Sequence, residues 1–275
     1  MSEDFLLPKD DGLVMRETQA HAKYKLDALK YYLHVTNTSM RDKWKSRCYI
    51  DLQAGPGKNR IRDTHEIVLG SPLIALTAPY PSTKFFLNEL HPELNHALRS
   101  RISSSPIQDR VNVFQGDVNE VVGVICDQLP RNALNLAFLD PEGLELHWST
   151  VERLAKVGRT DMIINFSIMG IRRVYGTENW ESIDHFFGTQ EWREIAAEDR
   201  SMIGRNLIDF YRRRLEGFGY HIQIDPDIGS MEMSVKNSKN AELYRMIFAS
   251  KHPLGDKFWQ QSVKSSQPPK LPGFD

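Results

Sequence analysis

Acids and glycines recur in this chain where apolar runs stop. The run RCYID ends at Asp51 and is followed, after Leu52, by Gln53-Ala54-Gly55-Pro56-Gly57; KFFL leads to Asn88-Glu89, VNVFQ to Gly116-Asp117, and LNLAFL to Asp140-Pro141-Glu142-Gly143. A carboxylate can accept hydrogen bonds from two neighbouring hydroxyls at once, as it does from the fork of a guanidinium. A bend without Cβ atoms lets backbone lie close against a ligand and tolerates unusual dihedrals. Each acid alone is equally suited to capping the helix that follows it. Four in succession, each after an apolar run, point to one shared working edge.

The elements that must position these residues are legible in the hydrophobic spacing. Strands are expected at 47–52, 84–88, 111–115, 134–139 and 161–166, and helical patterns at 92–102, 118–128 and 149–156, with Ser71-Pro72 opening another helix. Short apolar runs alternating with helical periodicity predict βα units and a parallel sheet covered on both faces. Before them, 17–35 reads as a helix with Thr18 as its N-cap, inside an N-terminal helical extension over 1–45. After them, 168–200 reads as an insertion of one or two short helices carrying Trp180, Phe186, Phe187 and Trp192, a lid or substrate wall whose aromatics are expected to form its own core. A helix at 202–216, strands near 220–225 and 243–250 joined as a hairpin, and a helix from His252-Pro253 complete the pattern. The expectation is α/β: a Rossmann-like, doubly wound, seven-stranded sheet with a C-terminal antiparallel hairpin, in a single domain over 1–275.

Composition narrows the functions. The chain of 275 residues is 40% hydrophobic and 26% charged, enough for a sizeable core. With a formal net charge of −1, any attraction to nucleic acid or an anionic membrane would need a local basic patch. Cys48 and Cys126 lack a zinc or disulfide spacing and read as reduced core thiols. The histidines show no H-E-x-x-H or comparable spacing, so no metal site is expected. The opening MSEDFLLPKDDG has neither the basic nor the apolar region of a signal peptide, and no window reaches the ~20 apolar residues of a membrane span. A cytoplasmic protein without membrane contact is expected.

The glycine turn excludes some ligands. It is not G-x-x-x-x-G-K-[ST], nor the full G-x-G-x-x-G, and the polar KNRIRDTHEIVLG intervenes before the next helix. A pyrophosphate would want the helix N-terminus missing there. A ligand with ribose, adenine and an amino-acid tail but no phosphate does not, and S-adenosylmethionine is such a ligand. On this reading Asp51, Gln53, Ala54, Gly55 and Gly57 lie along its methionine part, Glu89 accepts from the ribose and Asp117 from the adenine amino group. Asp140, with Pro141 and Glu142, would orient the methyl acceptor. Arg172 and Arg173, just past the fifth strand, are candidates for phosphate or an acidic substrate, and His21 and Lys23 lie near the start of the first helix.

This arrangement resembles the class I S-adenosylmethionine-dependent methyltransferases, including their closing C-terminal hairpin. DLQAGPG resembles the first motif of the nucleic-acid base methyltransferases, and LDPEG their D-P-P-[YF] or D-P-F-G motif. As a whole the chain is similar to the three-Cys-motif partner protein family, through AHAKYKLDALKYYL (20–33), YIDLQAGPG (49–57), GSPLIAL (70–76), FLDPEGLELHWSTVERLA (138–155) and ASKHPLGDKFW (249–259). The resemblance implies a methyltransferase, acting on a nucleic-acid base or nucleotide, that works with a radical-SAM-like protein bearing three cysteines; a catalytically silent subunit of that partner is the alternative. One departure matters. Glu142 stands where amino-methylating enzymes carry an aromatic residue, and a carboxylate cannot stack on an extruded base.

Overall fold

Alternation along the central strands feeds two cores. The computed structural model describes residues 3–177, 179–198, 203–221, 224–225, 229–230, 233–236 and 242–266. Strand β1 (Arg16–Thr18) and helix α1 (Ala22–Met40) precede β2 (Arg47–Asp51), the hairpin strands β3 (Lys58–Ile61) and β4 (Ile67–Leu69), and α2 (Ser71–Thr77). Then come β5 (Lys84–Asn88), α3 (Pro92–Ile102), β6 (Val111–Phe114), α4 (Val118–Gln128), β7 (Leu134–Leu139), α5 (Trp148–Ala155) and β8 (Arg159–Phe166). In β2, Cys48 and Ile50 enter one core and Tyr49 the other; in β7, Ala137 and Leu139 oppose Leu136 and Phe138. Because successive side chains face opposite ways, a strand buried on both sides must be apolar throughout, which is why these runs do not alternate with polar residues.

Three short helices follow β8: α6 (Ile168–Tyr175), α7 (Glu181–Phe187) and α8 (Trp192–Glu198). After α9 (Ile203–Glu216) come β9 (Ile224–Asp225), β10 (Gly229–Ser230), β11 (Met233–Lys236), β12 (Glu242–Ala249) and α10 (Pro253–Ser266). The main sheet has seven strands in the order β11-β12-β8-β7-β2-β5-β6. From β8 to β6 the strands are parallel, β12 runs antiparallel to β8, and β11 antiparallel to β12. β2 has β5 on one side and β7 on the other, so strand order reverses there.

The structure corrects four expectations. Thr18 is not a helix cap: it lies in β1, opposite Ile61, and α1 begins at Ala22. The polar stretch after the glycine turn folds as the antiparallel pair β3 and β4, which joins β1 in a second sheet. The hairpin partner of β12 is β11; the stretch near 220–225 meets the end of β12 through one antiparallel bridge, His221 with Ser250, while β9 pairs with β10 in a separate ribbon and 222–223 lie outside the described residues. The described residues of the 168–200 segment form three helices, of which α6 contributes Met169, Gly170 and Arg173 to a cavity wall while α7 and α8 pack into the core. Phe186, Phe187 and Trp192 are fully buried against Phe166 and Tyr211 on the α5 and α9 side of the sheet.

What covers the sheet edge instead is the N-terminal segment, tied down by one carboxylate. Asp11 accepts hydrogen bonds from Arg101 Nε (2.8 Å) and Nη2 (2.7 Å) and pairs with Lys58 Nζ at 2.8 Å. Arg101 and Lys58 are fully buried. Through Nη1 the same guanidinium donates to the carbonyls of Pro56 (2.6 Å) and Val14 (3.0 Å), joining the segment to the glycine turn. Burial alone would raise the Asp11 carboxyl, but its hydrogen bonds from Arg101 and Lys58 outweigh it and hold it at about 2. The opposite case lies under the sheet. Asp256, buried at the start of α10 with neither carboxylate oxygen hydrogen-bonded, is pushed up to about 6 by burial and by the charge of Asp161.

These two acids titrate with opposite signs. Asp11 gives stability that is present above pH ~4 and lost as pH falls towards 2, since its folded pKa is depressed. Asp256 holds a proton that the unfolded chain releases near pH 4, so stability declines as pH rises towards 6. In urea unfolding, Arg101→Met should cost about 3–5 kcal/mol by stranding Asp11 beside Lys58 alone. Asp256→Asn should raise stability by about 1–3 kcal/mol at pH 7.5 and have little effect at pH 4.

Candidate functional site

Open α/β sheets bind ligands outside the carboxyl ends of their strands where strand order reverses. A cavity of about 800 Å³ lies at that point, over the ends of β2, β7 and β8, with β1, the turn into α1, and the hairpin β3–β4 on its other side. Its wall includes Gln53, Ala54 and Gly55 after β2, Asp140, Pro141 and Glu142 after β7, and Asn165 and Ser167 at the end of β8. His21 and Lys25 come from the start of α1, Arg173 from α6, and Tyr244 from β12.

Within the glycine turn only Gly55 faces the ligand side. Its φ of +65° suits glycine, and the nearest atoms to a Cβ built there would be those of the Arg16 guanidinium, at 4.0 Å. Gly57, at φ +93°, instead packs against Leu73 and Arg101, outside the cavity wall. Asp51 is fully buried beneath the turn, accepts a hydrogen bond from the Tyr49 hydroxyl at 3.1 Å, and keeps Oδ1 unpartnered. Burial, opposed by hydrogen bonds from Ser71 and Tyr49, pushes its carboxyl up to about 7. It shapes the turn from below and does not reach the cavity.

Glu89 is buried at the end of β5, where Oε2 accepts from Gly55 N–H (2.9 Å) and Oε1 from His91 N–H (3.0 Å). It is no part of the cavity wall, because the Arg16 guanidinium lies between, 3.6 Å from Glu89 and 2.8 Å from Glu142. Asp117 caps α4, accepting from Asn119 N–H at 2.8 Å, and points to solvent outside the cavity. Lys23 pairs with Glu66 at 2.8 Å on the outer surface, and Arg172 is exposed away from the wall. The structure therefore brings together Gln53, Ala54, Gly55, Asp140, Pro141, Glu142, His21 and Arg173. It leaves Asp51, Gly57, Glu89, Asp117, Lys23 and Arg172 outside the cavity wall.

Around Asp140 the cavity has a network that the sequence reading missed. Lys25 Nζ approaches both its oxygens, at 2.8 and 2.7 Å, and Asn165 Nδ2 donates to Oδ1 at 2.7 Å. Asn165 Oδ1 and Gln53 Oε1 are buried acceptors without partners. Burial, reinforced by the nearby Lys25 charge, lowers the His21 pKa, so this imidazole is neutral at pH 7. Its ring lies 5.9 Å from that of Tyr244. A signal for Lys25 was present: it follows His21 by four residues, one turn along the same helical face. Arg16 gave none, since its place depends on β1 pairing with β3. Among the described residues, no group of His, Cys, Asp and Glu is placed to hold a metal ion. Nor is any helix among them long and apolar enough to cross a membrane.

Solved structures superpose on most of this chain. Protein LPL1258 from Legionella pneumophila superposes with a TM-score of 0.52 at 12% identity, covering 89% of this chain and 93% of its own. An O-methyltransferase from Bacillus cereus in complex with S-adenosylhomocysteine (SAH) does so with a TM-score of 0.50 at 12% identity, covering 90% and 94%. The fold is that of the class I methyltransferases. No protein-family model matches the chain, and no curated protein does.

The Lys25–Asp140 pair is only partly exposed, with both side chains near a sixth of full accessibility. A double-mutant cycle of Lys25→Met and Asp140→Asn, read by thermal unfolding, should give a coupling of about 1–3 kcal/mol. Additive effects would show that the pair contributes nothing.

Proposed function

We propose that the protein is an S-adenosylmethionine-dependent methyltransferase, and that the cavity between β2 and β7 takes both cofactor and acceptor. The observation that carries this reading is the position of that cavity. It lies at the strand-order reversal, against the bare face of Gly55, and the unpartnered acceptors Gln53 Oε1 and Asn165 Oδ1 belong to residues of its wall. The Bacillus cereus O-methyltransferase, which shares the fold, is described with SAH bound.

The residues present fit such a ligand. Gln53, Ala54 and Gly55 offer a side-chain acceptor and open backbone to its amino-acid part, and Glu89 keeps lone pairs for ribose hydroxyls once Arg16 moves aside. S-adenosylmethionine bound there supplies an electrophilic methyl group. Asp140, held in place by Lys25 and Asn165, and Asn165 Oδ1 accept hydrogen bonds from an acceptor amine or hydroxyl. Neutral His21 can take up the proton that the acceptor releases. Holding the nucleophile against the methyl group is the main lever in such a transfer, worth up to ~7–11 kcal/mol for ideal alignment. Arg173, on the cavity wall without an ion pair among the described residues, suits an acceptor that carries a phosphate or another acid, such as a nucleotide or nucleic-acid base in its strand.

By its resemblance to the three-Cys-motif partner proteins, the chain would work with a radical-SAM-like protein. A second reading, a catalytically silent subunit of that partner, draws on Asp140, whose oxygens are already engaged by Lys25 and Asn165.

Titration calorimetry with SAH should give micromolar binding that Glu89→Ala weakens at least tenfold. Absence of heat with wild-type protein would remove the methyltransferase reading. With the acceptor in hand, Asp140→Ala should lower methylation by about a hundredfold or more; an unchanged rate would overturn the role given to Asp140, and no turnover by the wild-type protein would favour the silent subunit. A nucleic-acid acceptor should bind more weakly as salt rises, with a slope set by the phosphates contacted.

A further inference from the structure

One cation of the cavity wall bridges two acids. Arg16 projects from β1 with its guanidinium 2.8 Å from Glu142, which follows β7, and 3.6 Å from Glu89, which ends β5. Between these two acids it lies over the open face of Gly55, which follows β2. It therefore spans the three strand ends that flank the reversal. Glu89 is 3% exposed and Glu142 70%, so the inner contact is desolvated and the outer one is not. Asp140, the next acid along the wall, already has its counter-ion in Lys25.

Two carboxylates that share one guanidinium form a seat for a cation. When a ligand displaces Arg16, the buried Glu89 loses its counter-charge, and a buried carboxylate without one is costly. A neutral ligand leaves that cost in place, whereas a ligand that brings a positive charge to the seat offsets it. Burial of Glu89 matters most here, because charges interact more strongly where water is excluded.

We propose that Arg16 is an internal stand-in for the positive charge of the cofactor, and that Glu89, while it holds the ribose, and Glu142 together favour, through their charge, a positively charged adenosyl ligand over a neutral one. The inference rests on the methyltransferase reading above and adds to it a specificity-determining residue. Its consequence is directional: a sulfonium is held better than the thioether left after methyl transfer, so the product is released as Arg16 returns to its two acids. Glu142, placed where related motifs carry an aromatic residue, then serves the charge of the cofactor rather than the stacking of an acceptor.

Calorimetry with two stable ligands tests this: SAH, neutral at sulfur, and sinefungin, which carries a protonated amine in its place. Wild-type protein should bind sinefungin more tightly than SAH. Arg16→Ala should tighten both by about three- to tenfold, as expected for release of a partly exposed ion pair, and should leave the preference for sinefungin in place, because both ligands displace Arg16. Glu142→Gln should narrow that preference. Arg16→Gln, which keeps the length of the side chain in β1, gives the same readout if the alanine variant unfolds. Arg16 variants that bind SAH more weakly, or no differently, would overturn the stand-in while leaving the cofactor assignment intact. Binding of neither ligand to wild type and Arg16→Ala alike would overturn both.

Discussion

The buried Asp11 carboxylate is the tie between the amino-terminal segment and the carboxyl edge of the sheet. Two cations meet it, Lys58 from the hairpin and Arg101 from α3, and Arg101 also donates to the carbonyls of Pro56, Val14 and Leu13. A single carboxylate thus connects the strap, the hairpin, a helix behind the sheet and the glycine turn. Buried ions of this kind tolerate little displacement, since any loss of a partner leaves charge without solvent. The position of β1, and with it the position of Arg16 over Gly55, depends on that tie.

Charge around the cavity is managed by pairing rather than by excess. Lys25 neutralises Asp140, Arg16 is shared by Glu89 and Glu142, and His21 is kept neutral by burial and by Lys25. Arg173 stands without an ion pair among the described residues. With a net charge of −1 on the whole chain, recognition cannot rely on a long-range field and must come from these local arrangements. Such a site responds to which charge arrives and where.

Much of this was readable before any coordinates. The five parallel strands appear within two residues of where apolar runs end or begin, because a strand buried on both faces must be apolar along its length. Asp117, read as an acceptor for the adenine amino group though equally suited to capping, does cap α4. Gly57 and Lys23 were misread for a shared reason: residue type says what a group can do, not which way it faces. Gly57 turns towards Leu73 and Lys23 towards Glu66, only two residues from Gly55 and one from Tyr24, which do line the cavity. Likewise the aromatics of 168–200 fill the core shared with Phe166 and Tyr211 rather than a lid of their own.

The sequence by itself determined the central sheet, the bend at Gly55 and the acid-bearing strand ends, because these depend on local periodicity, on backbone freedom and on the chain's own order. Only the tertiary structure decided which acids reach the cavity, that β1 pairs with β3, and that Arg16, Lys25 and Asn165 belong to the site. Those outcomes depend on contacts between residues tens of positions apart, such as Asp11 with Arg101 and Lys25 with Asp140, whose partners are chosen by packing and burial. Apart from the helical spacing of Lys25 from His21, no pattern within a single segment encodes them.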